Sequence, residues 1–83
     1  MIKNIEDVRK LYNDQKASME KIDADTLSVL LDRDDAFLKM PMKTAIGILR
    51  FLGVDKDEAM ESYYNLISLE NIPKEYITIS KRQ

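Results

Sequence analysis

The side chains able to do chemistry in this 83-residue chain are carboxylates and amines, because it contains no histidine and no cysteine. That removes the commonest general base, the thiol nucleophile and most transition-metal ligands. The acidic run 32-DRDD-35 has the residue types of a calcium loop. Such a loop needs glycine at its sixth position for a sharp turn and a bidentate glutamate at its twelfth. Phe37 and Lys43 occupy those positions, so the pattern fails. Paired carboxylates also serve acid–base catalysis, yet these aspartates fall beside loops and helix starts, where capping of backbone N–H groups is the ordinary explanation. Gly47 and Gly53 stand alone, so there is no glycine-rich phosphate loop. The expectation is a protein that is not an enzyme and uses no metal or cofactor.

Recognition is the chemistry that remains. The stretch 37-FLKMPMK-43 gathers two of the five methionines, a proline and two lysines between acidic segments. Residues 23–35 hold five aspartates against one arginine, whereas 36–54 hold Lys39, Lys43 and Arg50 and no carboxylate. Such blocks separate positive from negative surface, which acts on association rather than on the fold. Phe37, Met40 and Met42 form either an adaptable apolar patch rimmed by Lys39 and Lys43, or the packed approach to the following helix, with Pro41 at its first position. In an extended reading of 36-AFLKMPM-42, Phe37, Lys39 and Pro41 face one way and Met40 and Met42 the other. Lys43 and Arg50, seven apart, share nearly one helical face. Arg50 suits a helix C-terminus, whereas Lys43 near an N-terminus is mildly unfavourable to the helix and more readily assigned to an anionic partner. Phe37, Lys39, Met40, Met42, Lys43 and Arg50 are therefore the candidate partner-binding residues.

Several helices must position them. Ile5, Val8, Tyr12, Met19 and Ile22, with Gln15 in the one polar slot, form the stripe of an amphipathic helix from about residue 4 to 20. Asp23 or Asp25 is placed to cap a short helix through 27-LSVLL-31, whose Leu27, Leu30 and Leu31 share a face, and Asp34 or Asp35 to cap a further turn. Thr44–Leu52 is the most apolar segment, with Ala45, Ile48, Leu49 and Leu52 on one side and Ile46 and Phe51 on others, and Gly53 is its stop. Asp55 and Glu58, three apart, open a last helix that runs to Glu70 before 71-NIP-73 ends it. The alternating 76-YITIS-80 reads as a short strand whose partner is the 36–42 stretch or another molecule, which would make 76–80 or 36–42 a route to a homodimer.

The whole of 1–83 is expected to be a single small helical domain: a mostly α bundle of about four to five helical segments with a short C-terminal β-strand. A chain this size buries only about 60 to 65% of its unfolded surface, and without disulfides its core is modest. The stretch 1-MIKNIEDVRKLYND-14 has no apolar run of signal-peptide or membrane-spanning length, so a soluble, cytoplasmic protein is expected.

The stretch 42-MKTAIGILRFLGVDKDEAMESYY-64 resembles the last two helices of small helix-turn-helix repressors of phages and mobile elements. Taken with 69-LENIPKEY-76, 37-FLKMP-41 resembles the strand of ribbon-helix-helix antitoxins, which implies that Phe37 and Lys39 face a DNA groove. A pI near 5.1 is low for a DNA-binding domain, which is generally basic. The sequence is accordingly read as a non-enzymatic regulatory or inhibitory protein that binds a partner protein, with a DNA-binding transcriptional regulator as the alternative.

Overall fold

The computed structural model describes residues 1–68. They form α1 (Ile5–Gln15), prolonged by a 3-10 turn at Lys16–Ser18, then α2 (Lys21–Leu31), α3 (Ala36–Lys39), α4 (Met42–Phe51) and α5 (Lys56–Leu66). The mostly helical fold agrees with the sequence reading. The strand expected at 76–80 lies outside the described residues, and the last helix, expected to run to Glu70, is corrected: it ends at Leu66 with Ile67 as its C-cap residue.

Helix ends follow local chemistry. Asn4 accepts the Asp7 N–H at 3.2 Å, and Asp7 returns the contact by accepting the Asn4 N–H at 3.3 Å and the Lys3 N–H at 2.8 Å. This reciprocal capping box satisfies donors that the first turn leaves open. The Lys3 hydrogen bond is the main reason that the Asp7 carboxyl sits below the ordinary aspartate range. At α2 the N-cap position belongs to Glu20, without a side-chain bond, and Asp23 falls inside the first turn. The expectation that Asp23 or Asp25 caps this helix is thus corrected: α2 starts before both, with Asp23 in its first turn, where an acidic side chain complements the helix dipole, and Asp25 beyond that turn.

The extended reading of 36–42 is corrected. Residues 36–39 are helical, and extended backbone is confined to Met40 and Pro41. Pro41 is the N-cap residue of α4 rather than its first helical residue; in either position its missing N–H is harmless. Asp35 stands at the N-cap of α3, but its carboxylate pairs with Arg33 at 3.0 Å instead of capping.

Gly53 ends α4 as expected. Its φ of +94° is readily reached only by glycine, its N–H donates to the Arg50 carbonyl at 2.9 Å, and the Val54 N–H reaches back to Leu49 at 3.1 Å. Those two bonds constitute a Schellman motif. Asp55 then caps α5 by accepting the Glu58 N–H at 3.0 Å.

Val8 of α1, Leu27 and Leu31 of α2, Phe37 of α3, Leu49 and Leu52 at the end of α4, and Ala59 and Leu66 of α5 meet in one core. The closest-packed pairs are α4 with α5, α1 with α2, and α3 with α5. Polar side chains of α1 lock the bundle by donating to carbonyls of other helices. The Tyr12 hydroxyl donates to Ala24 at 2.7 Å, Gln15 Nε2 to Leu52 at 2.6 Å, and Arg9 Nε to Leu31 at 2.7 Å. Two of these acceptors lie at the C-terminal ends of α2 and α4, where carbonyls lack helical partners. Arg9 also pairs with Glu6 and, at 3.0 Å, with Asp34.

One member of the expected first stripe leaves it. Ile22 is 71% exposed, because the chain turns at Lys16–Ser18, passes through extended Met19 and restarts as α2 on a new register.

Candidate binding surface

The residues singled out in 37–43 and at Arg50 do not form one surface. Phe37 is 3% exposed and belongs to the core. The outward orientation of Phe37, whether as an apolar anchor or as a strand residue, is therefore corrected: α3 turns its ring inward, where burial of an aromatic side chain is worth about 1.5–3 kcal/mol. Met40 and Met42 are half-buried, and Met40 packs against the core cluster. Lys39, Lys43 and Arg50 are exposed. Lys43 and Arg50 lie on the outer side of α4, each one turn from Gly47 at i−4 and i+3.

The unpartnered apolar surface lies elsewhere, between α2 and α4. Thr44, Gly47, Ile48 and Phe51 follow i, i+3, i+4 and i+7 spacing along one face of α4, and Asp23, Thr26, Leu27 and Leu30 follow i, i+3, i+4 and i+7 along α2. The two faces enclose an open groove of about 310 Å³. Phe51 is 53% exposed and Leu30 37%. The apolar surface continues over the outer face of α2 through Ile22 and Val29, the latter 72% exposed. Seven residues separate these two, so they share a side of the helix. Large apolar side chains left open beside one another mark interaction surfaces more often than isolated ones do. Met60 and Tyr64, one turn apart on α5, form a second and smaller exposed pair.

Gly47 lies at the rim of the groove. Its φ is not positive, it stands inside a helix, and a Cβ built on it meets nothing within 4 Å. Neither backbone strain nor crowding requires glycine there, although glycine in a helix interior costs about 0.5–1 kcal/mol relative to alanine. What its missing side chain provides is open space over the groove.

A second cavity, of about 380 Å³, adjoins the first and shares Asp23 and Phe51 with it. Asp14, Gln15, Ser18, Met19 and Glu20 complete its lining. The groove thus runs from Leu30 and Thr44 at one end to Phe51 and a cluster of three carboxylates at the other. Among the described residues no lysine or arginine lines either cavity. Asp14, Glu20 and Asp23 make no ion pair among the described residues.

Sequence reasoning missed this surface for identifiable reasons. The apolar spacing puts Ile22 on the first stripe, Leu30 on one face with Leu27 and Leu31, and Phe51 on a further side of the most apolar segment. The available signal was the i, i+3, i+4, i+7 series from Thr44 to Phe51, with Gly47 interrupting an otherwise good helix.

Among the described residues no group of three or more acidic side chains could hold a metal ion. No described helix is long and apolar enough to cross a membrane. Comparison with family models, with curated protein sequences and with solved structures found no match to this chain.

Proposed function

We propose that this chain is a non-enzymatic regulatory or inhibitory protein that acts by binding a partner protein through the groove between α2 and α4. The observation that carries this reading is the open apolar groove itself, with Phe51 and Leu30 exposed and half-buried Ile48 in its lining. Grooves of this form accept the apolar face of an amphipathic segment, and half-exposed aromatic side chains at their centre are the usual energetic anchors. Lys43 and Arg50 flank the groove on the outer side of α4 and add a polar rim.

The test is a tagged pull-down of the full chain from lysate, with and without nuclease, run in parallel on Phe51→Ala. Phe51 is half-exposed, so its truncation leaves the helical circular-dichroism spectrum intact. Under this reading, a protein retained by the wild type after nuclease treatment is reduced about tenfold or more by Phe51→Ala, the effect of removing one interface anchor. Equal retention by the variant would refute the groove as the docking site. Recovery of nucleic acid, with co-purifying proteins lost on digestion, would favour a DNA-binding regulator instead.

A further inference from the structure

We infer that the groove's partner segment is a short amphipathic helix carrying lysine or arginine at the end that lies over Asp14, Glu20 and Asp23. The inference rests on the docking reading above and adds the chemical class and charge of the occupant.

Length comes first. The apolar face of α4 runs from Thr44 to Phe51, a span of about 10 Å at 1.5 Å per residue. Two turns of a docked helix match it, so the occupant offers three apolar side chains at i, i+4 and i+7. Charge comes second. Asp23 and Phe51 belong to both cavities, so a helix that lies along the apolar groove and continues past Phe51 enters the acidic one. The three carboxylates there have no cation facing them from either cavity wall and no ion pair among the described residues. A cationic end supplies that missing charge, and an anionic end is repelled. Such complementarity sets orientation and partner choice more than raw affinity. Gly47 comes third. A docked helix approaches α4 closely where no Cβ stands in its way, which makes Gly47 the residue that limits the girth of the occupant.

The experiment uses the full chain and fluorescein-labelled synthetic helices in an alanine–glutamine host with leucines at i, i+4 and i+7. One pair carries three lysines at the N-terminal or C-terminal end, and a second pair carries glutamates in the same places. Fluorescence anisotropy is read at low and at high salt. A lysine-ended helix should bind about tenfold more tightly than its glutamate counterpart at low salt, and the difference should shrink at high salt. The double variant Glu20→Gln/Asp23→Asn should remove that preference, while Glu61→Gln on α5 should leave it in place. Gly47→Leu should abolish binding, whereas Gly47→Ala should raise Tm by about 4 °C and weaken binding.

Equal binding of lysine-ended and glutamate-ended helices, each still lost in Gly47→Leu, would overturn the basic-end assignment and leave groove docking standing. Binding unaffected by Gly47→Leu would overturn both. Failure of every helix to bind would overturn the occupant class proposed here, and self-association lost in Gly47→Leu would replace it with a second copy of the chain.

Discussion

The two phenylalanines provide the sharpest check on the division between core and surface. Phe37 is 3% exposed and Phe51 is 53% exposed, although both sit in the same apolar, cation-bearing half of the sequence. Truncating Phe37 to alanine removes a fully buried ring and leaves a cavity between α3 and the core, a change that costs about 3–5 kcal/mol. Phe51→Ala forfeits about half of a transfer value of 1.5–3 kcal/mol and opens no cavity, so its cost is about 1 kcal/mol. A domain of 83 residues has a total stability of about 4–12 kcal/mol at 0.05–0.15 kcal/mol per residue, so Phe37→Ala consumes a large part of it. Urea unfolding followed by circular dichroism at 222 nm reads the difference directly. With a slope of about 1–2 kcal/mol/M, Phe37→Ala should lower the midpoint by about 1.5–5 M or leave the chain unfolded without urea. Phe51→Ala should lower it by less than about 1 M. A Phe37→Ala protein within 1 kcal/mol of wild type, or two variants of equal cost, would refute the assignment of Phe37 to the core.

Three further outcomes follow from single contacts. Gly53→Ala forces an alanine into a φ of +94°, so it should destabilise by about 1 kcal/mol, seen as a fall in Tm, despite the open space beside it. Ser62 is fully buried and its hydroxyl has no hydrogen-bond partner among the described residues, so Ser62→Ala should be neutral or stabilise by up to about 1–2 kcal/mol in the same melts. The Asp7 carboxyl lies below its ordinary value because it accepts the Lys3 N–H, so its contribution is present above the unfolded-state pKa and lost as pH falls through the folded one. Between about pH 5 and pH 2 the wild type should therefore lose more stability than Asp7→Asn, and identical acid limbs in thermal melts would count against that contact.

How far the sequence could be read depended on how local each signal was. Gly53 and the Asp55–Glu58 pair act within a few residues of themselves, and they stop and start helices where their types indicate. The Asn4–Asp7 capping box was equally local but went unassigned, since a helix beginning near residue 4 was inferred from its apolar stripe alone. Gln15 was visible only as a polar interruption. Its acceptor is the Leu52 carbonyl, 37 residues away in the chain, and no periodicity announces such a bond. Ile22 leaves the stripe because a 3-10 turn and two extended residues, Met19 and Glu20, reset the helical phase without a glycine or proline to mark the break. The 37–43 stretch was ambiguous in sequence because apolar residues serve a core and a docking surface equally well. In the fold its ring turns inward while Phe51 stays out.

The most direct test of the groove as docking site is chemical-shift mapping by ¹H–¹⁵N NMR on the full chain titrated with the lysine-ended helix. The account requires that the largest perturbations fall on Thr26, Leu30, Gly47, Ile48 and Phe51, with Glu20 and Asp23 moving at the acidic end. Perturbations centred instead on Lys39, Met40 and Met42, or on Met60 and Tyr64 of α5, with the groove residues unmoved, would contradict it.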